Sequence, residues 1–260
     1  MDAPSPTALD PVPADPAPAG PALAGSAAVP AEALLPLLQL CDSALPTGAF
    51  AHTFGLETYL HRGTVHDEAT FAAWLSRFLE AQLVPADGLA VRLAASIPSS
   101  PDPAFVDRLV ELDALMHAQA LPSQVRRAGV TMGRRLIEIG GLGMPGPRLA
   151  AYADLVDTGR CHGHQAIAFA LIGVDHGTPA DALVRAYLFS TLTALTQNAV
   201  RGIPIGQNAG QRVLAAMRAE VDAAARWIAA LTVEDLGAVP PGLEIAQMQH
   251  ETQRARMFMS

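Results

Sequence analysis

Lysine is absent from this chain of 260 residues, so its 17 basic residues are all arginine. Without lysine no GxxxxGK[ST] phosphate loop can exist, which argues against a P-loop nucleotide hydrolase. Positive charge is also outnumbered: 25 acidic residues leave a net charge of −8. Such a chain lacks the basic footprint of a nucleic-acid binder and is unsuited to an anionic membrane surface. Cysteine is scarce. Cys41 and Cys161 lie far apart and form no disulfide framework, which fits a reducing compartment. Aromatic residues make up only 5% of the chain. No stretch of about 18 apolar residues escapes charges or breakers, so no membrane-spanning helix is expected. The N-terminus has no basic n-region, so it does not read as a signal peptide. Cytoplasm is the expected location. No G-x-S-x-G elbow supports a serine nucleophile, and no segment alternates strictly as a strand would.

What is present is helical. Half of the residues are hydrophobic, and that share leans on Ala and Leu. Residues 1–30 are mostly Pro, Ala, Asp, Ser and Gly, a composition that cannot offset ordering entropy; disorder and dispensability are expected there. Breaker clusters at Ile97–Pro103 and Gly140–Pro147 read as loops. Between them Phe71, Trp74, Leu75, Phe78 and Leu79 repeat at helical spacing behind Asp67 as an N-cap. Thr178, Pro179 and Asp181 read as the N-cap, N1 and N3 of another helix. Further helices are expected near 31–41, 50–62, 87–96, 103–119, 122–139, 164–173, 207–230 and 243–256. The expected fold class is all-α: about ten helices in one globular domain over residues 31–260.

Several strings carry candidate chemistry. Gly141 to Gly146 matches G-x-G-x-x-G, but a helix precedes it and Pro145 and Pro147 remove amide donors, so a helix-to-helix loop is the reading. Cys161, His162 and His164 form the best local metal constellation, thiolate and imidazole being suited to nickel, zinc or copper. The other reading is a buried Cys with histidines hydrogen-bonded around a helix start. A helical metal- or cysteine-dependent enzyme centred on these three residues is therefore the alternative function.

Three blocks put Pro, Gly, amides or charge where a plain core helix would put Ala or Leu. Asp42 to Glu57, with Pro46 and His52, is either a core-packing turn or the lining of a partner surface or internal passage. Arg201 to Gln211, with Pro204 and Gln207, kinks a helix corner beside a fixed charge. The terminus alternates His250, Glu251, Arg254 and Arg256 with Met248, Met257, Phe258 and Met259, types favoured at interfaces. Docking on its own domain is one reading; ordering on a partner is preferred.

In order and spacing these blocks resemble the urease accessory protein UreF family over roughly residues 33–260. Arg126, Ala128 and Gly133 also fall on the family pattern, whereas Gln124 stands where Glu is usual and Gly129 where a small polar residue is usual. Arg201 keeps the charge of a position that is lysine in many relatives, and Phe50 replaces a tyrosine of some. The resemblance implies an all-α homodimer without enzymatic activity or a stably bound cofactor. It implies binding to a UreD/UreH-type protein, recruitment of the GTPase UreG and then of urease apoprotein, and transient passage of nickel. It places Met248, His250, Glu251, Arg254, Arg256 and Phe258 at the partner. It places Arg201, Pro204, Gln207 and Gln211 near the dimer or passage, and Asp42, Pro46, His52 and Glu57 of the first block are expected there with them.

Overall fold

Asp67 accepts the Thr70 amide at 2.8 Å, and the Asp67 amide donates to the Thr70 hydroxyl at 3.0 Å. This reciprocal cap starts one of the longest rods in the molecule, as the sequence leads one to expect. The computed structural model describes residues 28–98, 103–237 and 240–259. The expected disorder of the head lies, for residues 1–27, outside the described residues, as do 99–102 of the first loop.

Among the described residues the helices are α1 (Ala31–Leu40), α2 (Leu56–His61), α3 (Glu68–Phe78), α4 (Leu89–Ala95), α5 (Pro103–Gln119) and α6 (Ser123–Gly143). They continue with α7 (Pro147–Asp157), α8 (Gln165–Asp175), α9 (Ala180–Gly202), α10 (Gly206–Ala230) and α11 (Pro241–His250). The only strand-like feature among them is one isolated bridge, His52 to Met259. The fold is all-α.

Four local expectations are corrected. The helix foreseen at 87–96 is no separate element, because a π-helical stretch, Leu79–Gly88, joins α3 to α4 without a break. Pro85 inside it has no amide hydrogen to give, and the wider π turn accommodates that loss. α6 continues through Gly140 to Gly143, where a loop was expected. Gly140 stays helical because the next helix layer needs its missing side chain: a Cβ there would sit 2.7 Å from Ile172 Cδ1. α7 was not foreseen; Pro147 sits in its first turn, and it buries Leu149, Tyr152, Leu155 and Val156. Finally, Thr178 does not cap α9. Pro179 holds the N-cap position and the buried Thr178 hydroxyl has no hydrogen-bond partner.

α8 is the axis of the core. Ala166 to Gly173 are all buried, as a helix apolar on every side must be. It packs against α1, α4, α6, α7 and α9. Each fully buried Leu or Ile here contributes about 1.5–3 kcal/mol. The α6–α8 approach depends on Gly133: a Cβ there would lie 2.1 Å from the Gly163 carbonyl oxygen. On the outside, α10 lays Val213, Met217, Val221 and Ile228 on the core, mostly against α9. An aromatic chain of Tyr59, Trp74, Phe78 and Phe54, with neighbouring centroids 5.1–6.1 Å apart, fixes α2 and the segment before it on α3.

Candidate functional site

The first and third unusual blocks meet at Glu57. This carboxylate is 3% exposed and His250 is 0% exposed. His250 Nε2 lies 2.8 Å from Glu57 Oε2, and its Nδ1 lies 3.1 Å from Gln124 Oε1. The Met257 amide donates to Glu57 Oε1 at 2.5 Å and the Phe258 amide to Oε2 at 3.2 Å. A carboxylate buried without donors would be costly; this one has three. Gln124, at the start of α6, is itself part of the node.

The tail then pairs with the chain just before α2. The Met259 amide donates to Ala51 O at 2.8 Å and the Thr53 amide to Met259 O at 3.1 Å. Phe54 and Gly55 both have positive φ, 50° and 94°, which turns the chain out of this short ladder and into α2. Only glycine suits position 55, since a Cβ would meet Gln247 Cγ at 3.0 Å. Gln247 Nε2 donates to Phe54 O at 3.1 Å, and the Thr58 hydroxyl to Ala246 O at 2.8 Å, so α11 is fastened along α2.

The second block closes the same site from below. Buried Asn198 donates to His52 O at 2.7 Å. Arg201 donates to Phe50 O at 2.8 Å and to the Asn198 side chain. Its guanidinium carbon lies 5.4 Å from the Phe50 ring centroid and 5.1 Å from that of Phe258. Arg201 therefore holds the tail to the first block by cation–π contact on two rings. Above it Phe50, Met257 and Met259 are exposed, while Phe258 is buried. Arg254 and Arg256 are exposed beside them, and Met248 is exposed on α11. Phe50, Arg201 and the end of the tail thus lie together, with Phe50, Met257 and Met259 exposed.

In this structure the tail is docked on its own domain. His250 and Phe258 serve that docking from inside. Glu251 serves it differently. It accepts from the Ser123 hydroxyl at 2.8 Å and the Gln124 amide at 3.1 Å, a carboxylate on the open N-terminus of α6. The Ser123 hydroxyl, followed by the amides of Gln124 and Ser123, holds its pKa below the usual carboxylate range.

The remaining expected residues spread out. Asp42 and Arg201 line a cavity of about 640 Å³ that reaches from the first block into the core. Pro46 lies off it, exposed, its carbonyl accepting from Arg135 Nε at 3.3 Å. Pro204, Gln207 and Gln211 are exposed at the α9–α10 corner. Inside the cavity Cys41, Met116, Asp87 and His164 offer donor atoms. Tyr187 donates to Asp87 at 3.2 Å, and His164 Nε2 lies 4.0 Å from the same carboxylate oxygen. The buried carbonyl oxygens of Gln82 and Gln119, both on the cavity wall, have no hydrogen-bond partner.

Cys161, His162 and His164 do not converge. Among the described residues no three His, Cys, Asp or Glu side chains are placed to hold a metal ion. Cys161 is buried, and burial first, then the Asp113 charge, push its thiol up to about 12. His162 stacks on His117 with centroids 3.6 Å apart. Burial, and next the charge of His162, hold the His117 imidazole below the usual histidine range. His164 Nδ1 caps α8 by accepting the Ala166 amide at 3.3 Å. The loop itself is organised by Asp113, which sequence reasoning passed over. It accepts the His162 amide at 2.5 Å, the Gly163 amide at 3.1 Å and the Tyr152 hydroxyl at 2.5 Å.

The family model of UreF matches residues 65–218 of this chain. The urease accessory protein UreF of Arthrobacter sp. (strain FB24) is 54% identical over 226 residues, 87% of this chain and 96% of that protein. The chain belongs to the UreF family. The urease accessory protein UreF of Paenarthrobacter aurescens (strain TC1) is 52% identical over 229 residues, 87% of this chain and 97% of that protein. The UreF of Lachnoclostridium phytofermentans is 43% identical over 227 residues, covering 87% and 98%. Asp42 to Glu57 and the tail lie outside the stretch matched by the UreF family model, yet they build the docked face.

Proposed function

We propose that this chain is an accessory protein of urease maturation that works as a docking adaptor. The observation that carries the reading is that Phe50, Met257 and Met259 stand exposed around the Arg201 clamp, with Arg254 and Arg256 exposed in the same tail. Exposed Met and Phe beside Arg is the composition of a recognition surface, and no catalytic group stands on it. Its partner in this reading is a UreD/UreH-type protein; the GTPase UreG and urease apoprotein join the resulting complex. The exposed α9–α10 corner, with Pro204, Gln207 and Gln211, is the face assigned to a second copy of the chain.

Nickel is cargo in this account. The cavity lined by Asp42 also presents imidazole, thioether and amide oxygen groups, each able to exchange a ligand with a passing divalent ion. The rival reading, an enzyme built on Cys161, loses support from the thiol itself. A thiol pushed up to about 12 supplies almost no thiolate at neutral pH.

Complementation tests the reading. Cells that carry urease genes but lack this chain should make inactive urease, and both the wild-type chain and Cys161→Ser should restore activity. Full activity without the chain would contradict the proposed role. Restoration by wild type but not by Cys161→Ser would return the function to the cysteine.

A further inference from the structure

We propose that Glu57 is the positioning residue of the docking face, although it never touches the partner. This rests on the reading that the tail forms part of that face. Glu57 is buried, yet it holds the amides of two consecutive tail residues, Met257 and Phe258, at 2.5 and 3.2 Å. Accepting both fixes the strand direction of the tail. That sets which side chains turn outward (Met257 and Met259) and which turns inward (Phe258). The third donor, His250 Nε2, ties this seat to the last turn of α11, and Gln124 ties His250 to α6. The tail and the last turn of α11 therefore meet on one carboxylate, with α6 behind His250, to set the pose of about three residues.

The consequence is preorganisation. A face assembled before the encounter spares the partner the cost of ordering the tail. If only a fraction of molecules carries the docked tail, the apparent affinity falls by that fraction. Arg201 cannot replace the seat. It grips the Phe258 ring but makes no hydrogen bond to the tail backbone among the bonds described.

The test is Glu57→Gln in the full chain. Glutamine keeps the shape but offers a single acceptor oxygen, and its NH2 group would face one of the two amides or the imidazole. Two quantities are measured on the same protein: amide hydrogen exchange along the chain, and titration with the UreD/UreH-type protein. The expected result is faster exchange confined to the tail and its Ala51–Thr53 partner, with α8 still protected, and affinity at least about tenfold weaker. Combining Glu57→Gln with removal of residues 257–260 should weaken binding no further than the removal alone. Should Glu57→Gln fail to fold, Met257→Pro serves instead, read by hydrogen exchange alone because Met257 is itself on the face: proline removes the amide that donates to Oε1 and should free the Ala51–Thr53 partner of the tail. Unchanged tail exchange in the folded variant would overturn the positioning role of Glu57. Faster tail exchange with unchanged affinity would overturn the docking reading beneath it, because the tail would then be free without loss to the partner.

Discussion

Asp113 turns what the sequence presents as a metal motif into a structural loop. It sits 1% exposed and gathers the amides of His162 and Gly163 together with the Tyr152 hydroxyl. Burial first, and then the Asp113 charge, push that phenol above its usual range, so it stays protonated and donates. It also accepts the His164 amide at 2.7 Å. Tyr152→Phe should therefore leave a buried carboxylate short of one donor and a part-buried amide with only its longer bond, to Asp113 Oδ2 at 3.4 Å. We expect a loss of about 1–3 kcal/mol in urea-unfolding free energy, with helical content unchanged. An unaltered midpoint would show that Asp113 does not depend on this hydroxyl. The residues Cys161, His162 and His164 were visible in the sequence as types, but their directions were not. Asp113 lies 49 residues from His162, and no local pattern announces such a bond.

At the scale of elements, helical periodicity located most of the architecture. Phe71 to Phe78 and the Asp67 cap are examples in which side-chain spacing and capping chemistry act locally. What escaped was decided by neighbours. Gly140 looks like a helix breaker and is instead a contact point for Ile172; α7 hid behind a run of Gly and Pro that marks its start. The junction of α11 with α6 was equally illegible, since Glu251 meets Ser123 across 128 positions. That junction should respond to acid. The Glu251 pKa is lowered in the folded chain from an ordinary value of 4.5. Its contribution is therefore fully present above that value and is lost as pH falls through the lowered one. Wild type should lose stability relative to Glu251→Gln as the pH is taken below about 4.5, and the gap between their melting temperatures should narrow. A gap that stays constant from neutral to acid pH would mean that the Ser123 and Gln124 bonds do not favour the ionised form.

At the scale of the whole molecule, residues from three blocks that looked unrelated along the chain meet in one place. Glu57 and Phe258 are 201 residues apart, and Arg201 and Phe50 are 151 apart. Of the residue types that stood out at the chain end, Met257, Met259, Arg254 and Arg256 are exposed. Their division into a buried set and an exposed set was not readable, because it depends on which side chains the Glu57 seat turns inward. His250 and Phe258 look like interface residues in the sequence and are internal fasteners in the fold. Arg256 is exposed next to Met257 in the tail and has the planar fork that grips a carboxylate or a pair of carbonyls. The most direct measurement is Arg256→Ala, assayed for melting temperature and for binding to the UreD/UreH-type protein. The account predicts an unchanged melting temperature and binding weaker by about 2–4 kcal/mol. Unchanged binding would contradict it.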